Sequence, residues 1–272
     1  MAGRRTQRGG TALLVVVIVL GALAFGARTL WRAAQSVVRP AGCDFGSHFL
    51  ELDQAEVAST IVGVVLKREL PERAAVLTIG AALQESKLRN IPPGQGDRDS
   101  VGILQQRPSQ GWGTADQIAD VRYATGKFLD AVVRVPNWQD DSLATVVQTV
   151  QISADGSAYG RHEDQAQAIA DALFGGAPTA VTCRFDKPDR SAEPAGVAAA
   201  LTRDLPVSTP ALASRTVTVA GAGWASAAWF VCNANRLGIE SVRHAGKRWS
   251  YSDGWQDDDA ATGSAVIATL AH

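Results

Sequence analysis

Glu85 has the sequence setting that most favours acid–base chemistry. Helical periodicity places it on one face with Ala74 and Ala81, near the end of a predicted helix that runs to about Leu88. This face is small and largely apolar. Its burial and the negative end of the helix dipole both raise the pKa of a carboxyl group. A carboxyl group that stays protonated near neutral pH suits the general acid of a glycosidase. The same spacing also fits a surface ion pair between Glu85 and Arg89.

Two short motifs around Glu85 resemble those of lytic transglycosylases and goose-type lysozymes. Glu85 is followed by Ser86, and residues 100–105 read SVGILQ. In that family a Glu-Ser pair ends a helix, and a turn of the form S-x-G-(L/I)-x-Q forms one wall of the saccharide groove. Tyr159 lies where the family has the tyrosine of an Ala-Tyr-Asn triplet, although a glycine follows it here. The string at 96–114 is also similar to lysozyme-like domains of actinobacterial membrane proteins and of phage tail-associated cell-wall enzymes.

The resemblance covers about residues 50–175 and implies a mainly α, lysozyme-like domain. It also implies that Glu85 donates a proton to the oxygen of the β-1,4 bond between N-acetylmuramic acid and N-acetylglucosamine. In a transglycosylase the same carboxylate then accepts a proton from the C6 hydroxyl of the muramic acid, which closes onto C1 as a 1,6-anhydro sugar. A hydrolase instead activates a water molecule, usually with a second carboxylate. The sequence leaves both outcomes open.

Other side chains of the same segments are candidates for the rest of the site. The resemblance implies substrate contacts from Ser100, Gln105, Trp112 and Tyr159. Gln105 would hydrogen-bond an N-acetyl group or a sugar hydroxyl, or else only satisfy its own loop. Trp112 would stack on a sugar or cap the core. Asp97 and Asp99 are candidates for a second carboxylate, with a role in forming the glycine-rich turn as the alternative.

The N-terminus predicts export of the rest of the chain. Residues 1–10 carry three arginines and no acid, and 11–27 contain no charge. Such a run is at the short end of what spans a bilayer as a helix. Positive charge before it would keep the N-terminus in the cytoplasm, so that the bulk lies outside as a single-pass membrane protein. A cleaved signal peptide and a secreted product is the alternative, and a buried core helix is a third interpretation.

Cysteine usage fits an oxidising compartment. Cys43 and Cys183 bracket the first half of the exported part, and a disulfide between them would close a loop of about 140 residues. Cys232 lies in an apolar helical stretch and is predicted to be a buried thiol. The four histidines are scattered, and no CxxC or HExxH spacing occurs, so no metal site and no cofactor is expected.

Composition divides the exported part into three regions. Residues 44–175 read as the helical catalytic domain. Residues 176–214 are rich in Ala, Pro and Ser and read as a linker, with a short helix near 195–203. Residues 215–272 mix strand and helix patterns and read as a small α/β domain. The predicted fold class is therefore a mainly α lysozyme-like domain with an N-terminal transmembrane helix and a small C-terminal α/β domain.

The C-terminal region carries four tryptophans whose role the sequence leaves open. Trp224 and Trp229 lie on an apolar helix and are expected in the core. Trp249 and Trp255 lie near a polar turn and are the candidates for exposed contact. Wall binding, or docking of an envelope protein partner, is the hypothesis for this region.

The sequence favours an enzyme that cuts the glycan strands of peptidoglycan. The alternative is a non-catalytic wall-binding or scaffold protein of an envelope-spanning apparatus, built on a lysozyme-like fold that has lost its activity. A net charge of −1 and the lack of any nucleic-acid-binding motif argue against DNA or RNA as a partner. A transporter ranks last, because one short span offers no pathway across a membrane.

Overall fold

The structure is a computed structural model, and it describes residues 26, 40–152, 157–188, 192–221 and 223–272. The chain divides into Met1–Pro40 and a compact unit, Ala41–His272. The predicted basic tail and, apart from Gly26, the predicted anchor at 11–27 lie outside the described residues. Within the described residues, no helix combines the length and apolar character needed to cross a membrane.

Helices make up most of the described chain between residues 52 and 174. In order they are α1 Leu52–Lys67, α2 Glu72–Ser86, α3 Ala115–Ala119, α4 Val121–Val132, α5 Leu143–Gln151, α6 Ser157–Gly160 and α7 Glu163–Phe174. Side chains cap several of them: the hydroxyl of Ser142 accepts a hydrogen bond from the amide of Thr145 at the start of α5. All of them except α3, which packs against α4, contact α2.

The central position of α2 follows from its small residues. Residues 74–83 are all buried, and α1, α5 and α7 pack against them. Gly80 faces Leu143 so closely that an added Cβ would lie 2.2 Å from the leucine Cδ1, so a larger residue here would force the Leu143 side chain to move. The buried body of α2 therefore fixes the direction of its last turn, which carries Glu85.

A small sheet closes the helical layer and contains the disulfide. Its strands are β1 Gly42–Phe45, β2 His48–Leu50 and β3 Val181–Arg184, in the order β2-β1-β3 with antiparallel neighbours. Cys43 of β1 lies directly opposite Cys183 of β3. The two form a disulfide bond, so the predicted pairing is confirmed. Cys232 is the free, buried cysteine that the sequence predicts.

A second, larger sheet forms the C-terminal part. Its strands are β4 Ala211–Ala213, β5 Thr216–Val219, β6 Ile239–His244, β7 Lys247–Ser250, β8 Gly254–Asp257 and β9 Val266–Leu270, in the order β4-β5-β9-β6-β7-β8 with antiparallel neighbours. The accompanying helices are α8 Pro194–Asp204, α9 Gly223–Cys232 and α10 Ala234–Leu237. Trp229 of α9 is buried, as expected. Trp249 of β7, expected to be exposed, is also fully buried, and its ring centroid lies 6.0 Å from that of Phe185, the residue after β3.

The prediction of a mainly α fold is wrong. The described residues are 45% helical and 17% strand, and their nine strands form two antiparallel sheets. The strands of the small sheet are only three or four residues long, too short to show an alternating pattern. In addition β1 pairs with a strand about 140 residues further along the chain, and no local pattern reveals such a partner.

Residues 176–214, predicted as a linker, contain β3 and α8. Pro194 stands at the first turn of α8, where proline is well tolerated. The ammonium group of Lys67 donates to the carbonyl groups of Thr202 and Arg203, both at 2.8 Å, and so caps the end of α8. The predicted helix near 195–203 thus packs onto α1.

A buried carboxylate joins the helices to the large sheet. The side chain of Asp204, at the end of α8, accepts hydrogen bonds from Nε and Nη2 of Arg122 at 2.8 and 2.5 Å. Its other oxygen accepts from Nε1 of Trp229 at 3.1 Å. These partners come from α4 and α9, so one buried group ties three helices together. The helical layer that carries Glu85 is therefore continuous with the C-terminal part of Ala41–His272.

Candidate functional site

Glu85 stands at the end of α2, where the chain turns away. Lys87 adopts a left-handed conformation, and the amide of Leu88 donates to the carbonyl of Ala82 at 3.0 Å, which closes the helix. Glu85 is half-buried, while its neighbour Ser86 is buried. The surface ion pair with Arg89 that the sequence also allowed is not formed. Arg89 instead contacts Glu51 and Asp53.

The turn at 100–106 is attached to the end of α2. The backbone groups of Val101 and Gln106 pair with each other, and Gly102 between them has φ +77°. A Cβ on Gly102 would lie 2.7 Å from the carbonyl oxygen of Ile118, so glycine is needed for both conformation and space. The Ser86 hydroxyl donates to the Ile103 carbonyl at 2.7 Å. This hydrogen bond holds the turn against the end of α2, next to Glu85.

Tyr159 reaches Glu85 from a different helix. Its side chain, on α6, is only 3% exposed, and its hydroxyl donates to Oε1 of Glu85 at 2.6 Å. Because the phenol group holds one carboxyl oxygen, the orientation of the Glu85 carboxyl is set by the packing of α6. The structure thus brings together the three sequence segments that the family resemblance singled out.

A cleft of about 440 Å³ opens beside Glu85. It is lined by Glu85, Asp97, Ser100, Gln105, Gln106, Arg107, Gln110, Trp112, Gln151, Ile152 and Tyr159. Every predicted catalytic or substrate-binding residue is in this set, and of the two candidate second carboxylates it contains Asp97 but not Asp99. The lining is mainly polar, and hydrogen-bonding groups of this kind match a ligand rich in hydroxyl and amide groups.

The predicted contact residues differ in how free they are to bind. The amide nitrogen of Gln105 donates to the carbonyl of Gly102 at 2.9 Å, so it supports its own turn. The hydroxyl of Ser100 accepts from Nε of Arg107 at 3.0 Å. Trp112 is half-buried and packs against the core with part of its indole ring. Both interpretations of Trp112, stacking surface and core cap, are therefore compatible with its position.

The two aspartates of the loop have separate surroundings. Asp97 lines the cleft, but its side chain is 78% exposed and forms an ion pair with Nη2 of Arg107 at 3.2 Å. Asp99 is outside the lining. Its carboxylate accepts from the Ser109 amide at 2.8 Å. Hydrogen bonds from the side chain and backbone of Ser109 hold the pKa of the Asp99 carboxyl below its ordinary value. Asp99 thus has the turn-forming role.

The surroundings of Glu85 favour its protonated form. Burial raises the pKa of the Glu85 carboxyl above its ordinary value of 4.5. Hydrogen bonds from Tyr159 and Gln151 and the nearby charge of Arg107 act in the opposite direction and only partly offset the burial. The upward direction of the shift agrees with the expectation from the sequence, and Tyr159, Gln151 and Arg107 keep the charged form of Glu85 accessible.

Sequence reasoning missed Arg107 and Gln151. Arg107 lies two residues after the end of the motif at 100–105, so a cation next to the predicted groove was a visible signal. Gln151 ends α5, and its amide nitrogen donates to the Leu104 carbonyl at 3.1 Å. Nothing in the local sequence around Gln151 marks it, because it reaches the cleft only through the packing of α5 on α2.

Replacing Glu85 by the neutral, isosteric Gln is expected to stabilise the fold near pH 7. With a native pKa above the unfolded one, the wild type gains stability from protonation of Glu85. This gain in stability is complete below about pH 4.5, the ordinary pKa of the carboxyl group. It is lost as the pH rises through the raised pKa of the native state. Thermal unfolding at pH 7 should therefore give a higher Tm for Glu85→Gln, with the difference shrinking towards pH 4. A Tm for Glu85→Gln below the wild type's at pH 7 but not at pH 4 would mean that Glu85 is stabilised as a carboxylate.

No protein-family model matches this chain, and no curated protein matches it. Within the described residues, no group of His, Cys, Asp and Glu side chains is arranged to hold a metal ion.

Proposed function

We propose that the chain cleaves the glycan strands of peptidoglycan at the β-1,4 bond between N-acetylmuramic acid and N-acetylglucosamine. One observation carries the proposal: Glu85, desolvated and held by Tyr159, lines an open polar cleft. A carboxyl group in that state is suited to protonating a glycosidic oxygen. The likeness of Glu85-Ser86 and of the turn at 100–105 to motifs of lytic transglycosylases points to the same bond.

Glu85 acts twice in the proposed reaction. As an acid it gives its proton to the glycosidic oxygen, so that the bond to C1 of the muramic acid breaks and the leaving sugar departs as an alcohol. The resulting carboxylate then takes the proton of the C6 hydroxyl, whose oxygen bonds to C1. Hydrogen bonds from Tyr159 and Gln151 and the charge of Arg107 stabilise the carboxylate between the two steps. Glu85 ends protonated and ready for another cycle.

The anhydro product is favoured over hydrolysis. A hydrolase normally needs a second carboxylate to direct water or to act as a nucleophile. Asp97 is the other acidic side chain among the cleft-lining residues, and it is largely exposed and paired with Arg107. Asp99 faces its own turn. Glu85 is therefore the carboxylate suited to both proton transfers.

An extracytoplasmic location is part of the proposal. Its support is the Cys43–Cys183 disulfide, since such bonds persist in oxidising compartments, and the charge pattern at 1–27. The membrane anchor and the docking of an envelope protein onto 215–272 stay predictions from the sequence.

Mass spectrometry of the soluble products tests the function. The full-length chain in mild detergent is incubated with purified peptidoglycan, and the released fragments are analysed. The expected products are 1,6-anhydro-muropeptides. Fragments with reducing ends would identify a muramidase and direct attention to Asp97. No release from several wall chemotypes by a folded protein, together with sedimentation of the protein with the wall, would favour the non-catalytic wall-binding function.

A further inference from the structure

Arg107 is a fixed cation in the wall of the cleft. Its backbone begins the short 3-10 turn Pro108–Gln110, and its carbonyl accepts from the amide of Gln110 at 3.0 Å. Its Nε donates to the Ser100 hydroxyl at 3.0 Å. The side chain is only 23% exposed. The backbone of Arg107 and the Nε atom of its side chain are therefore both held by hydrogen bonds. Its guanidinium group has a defined orientation beside Glu85.

The guanidinium group retains binding capacity. Arginine has five N–H donors, and within the described chain only Nε and one bond from Nη2 are used, to Ser100 and Asp97. The bond to Asp97 is long, at 3.2 Å, and Asp97 is 78% exposed. Exposed ion pairs contribute little, so an anion entering the cleft can replace Asp97 at low cost.

Charge in the cleft favours an acidic ligand once Glu85 is protonated. Three charged side chains line it: Glu85, Asp97 and Arg107. In the reactive state Glu85 is neutral, and Asp97 can turn towards solvent. Arg107 then presents an unpaired, planar cation, a shape that binds a carboxylate through two parallel hydrogen bonds.

We infer that Arg107 binds the free carboxylate of the lactyl group on muramic acid, and that the enzyme therefore prefers glycan strands from which the stem peptides have been removed. The inference rests on the proposed function. On strands that carry peptides the lactyl group is an amide, which has no charge and offers a single carbonyl oxygen. Arg107 would thus act as a specificity-determining residue next to Glu85, while Ser100 holds it in place.

The test compares two substrates and four proteins. Full-length wild type, Arg107→Gln, Arg107→Lys and the control Arg248→Gln act on glycan strands with stem peptides and on strands freed of them by an amidase. Arg248 is exposed on β7, away from the cleft lining. The wild type and the control should favour peptide-free strands by about tenfold or more in kcat/KM, since charge-assisted bonds are the stronger ones. Arg107→Gln should abolish the preference mainly through KM. Arg107→Lys, which keeps the charge but not the planar fork, should keep part of it.

The outcomes distinguish failure of this inference from failure of the proposed glycan cleavage. Cleavage of both substrates by the wild type with equal kcat/KM, or a preference that survives in Arg107→Gln, overturns the carboxylate site and leaves the proposed function standing. Cleavage of neither substrate by the wild type overturns both. If circular dichroism shows that Arg107→Gln does not fold, Arg107→Lys provides the test. An unchanged tenfold preference of Arg107→Lys for peptide-free strands would contradict recognition of the carboxylate by the planar guanidinium group.

Discussion

Glu85→Gln is expected to reduce the rate of peptidoglycan cleavage by about 10³-fold or more, because general acid–base catalysis by a positioned group contributes about 10²–10⁴-fold. Glu85 would serve both proton transfers, so its loss affects both halves of the reaction. The glutamine side chain has nearly the same shape and can still accept the Tyr159 hydrogen bond. The variant should therefore fold and bind glycan while releasing no anhydro product, as measured by mass spectrometry over a time course.

Glu72→Gln is the matched control for that experiment. Glu72 lies on the same helix, at its opposite end, and burial likewise raises the pKa of its carboxyl group. It is outside the cleft lining. Its replacement should leave the cleavage rate within about twofold of the wild type, as for most changes away from a site. Equal activity of Glu85→Gln and the wild type would remove Glu85 from the reaction and with it the proposed mechanism.

The proximity of Glu85 to the turn at 100–106 could be predicted from the sequence because these segments are close in the chain. Glu85, Ser86 and the turn at 100–106 lie within about one helix and one loop of each other, and the Ser86–Ile103 hydrogen bond links them directly. The direction of the Glu85 pKa shift also followed from local burial near a helix end. Tyr159 was predicted only by resemblance, since its contact with Glu85 depends on how α6 packs.

The rest of the fold depends on contacts that no local pattern contains. The segment at 176–214 looked like a linker because its composition is rich in proline and alanine. Its helix α8 becomes part of the core through Asp204, which binds Arg122 and Trp229 from two other helices. Trp249 was expected to be exposed because it lies near a polar turn. Its indole ring is instead fully buried beside Phe185, a contact made by a segment more than 60 residues earlier in the chain.

The position of the cleft depends on this non-local framework. α2 can present Glu85 only if its small-residue face stays packed against α1, α5 and α7. The chain enters this layer through β1 and leaves it through β3, and the disulfide joins these two strands at their paired positions. One covalent bond therefore holds both ends of the segment that contributes every cleft-lining residue.

Removing the disulfide is expected to lower the free energy of unfolding by about 4–5 kcal/mol, because the bond closes a loop of about 140 residues and restricts the unfolded chain. The paired change Cys43→Ala with Cys183→Ala avoids burying hydroxyl groups where both sulfurs are now fully buried. Denaturant unfolding with and without a reductant measures the loss. Reductant should shift the midpoint of the wild type and of Cys232→Ala but leave the double variant unchanged, since Cys232 is a free thiol. A wild-type midpoint that does not move after full reduction would show that the segment between β1 and β3 is held by packing alone.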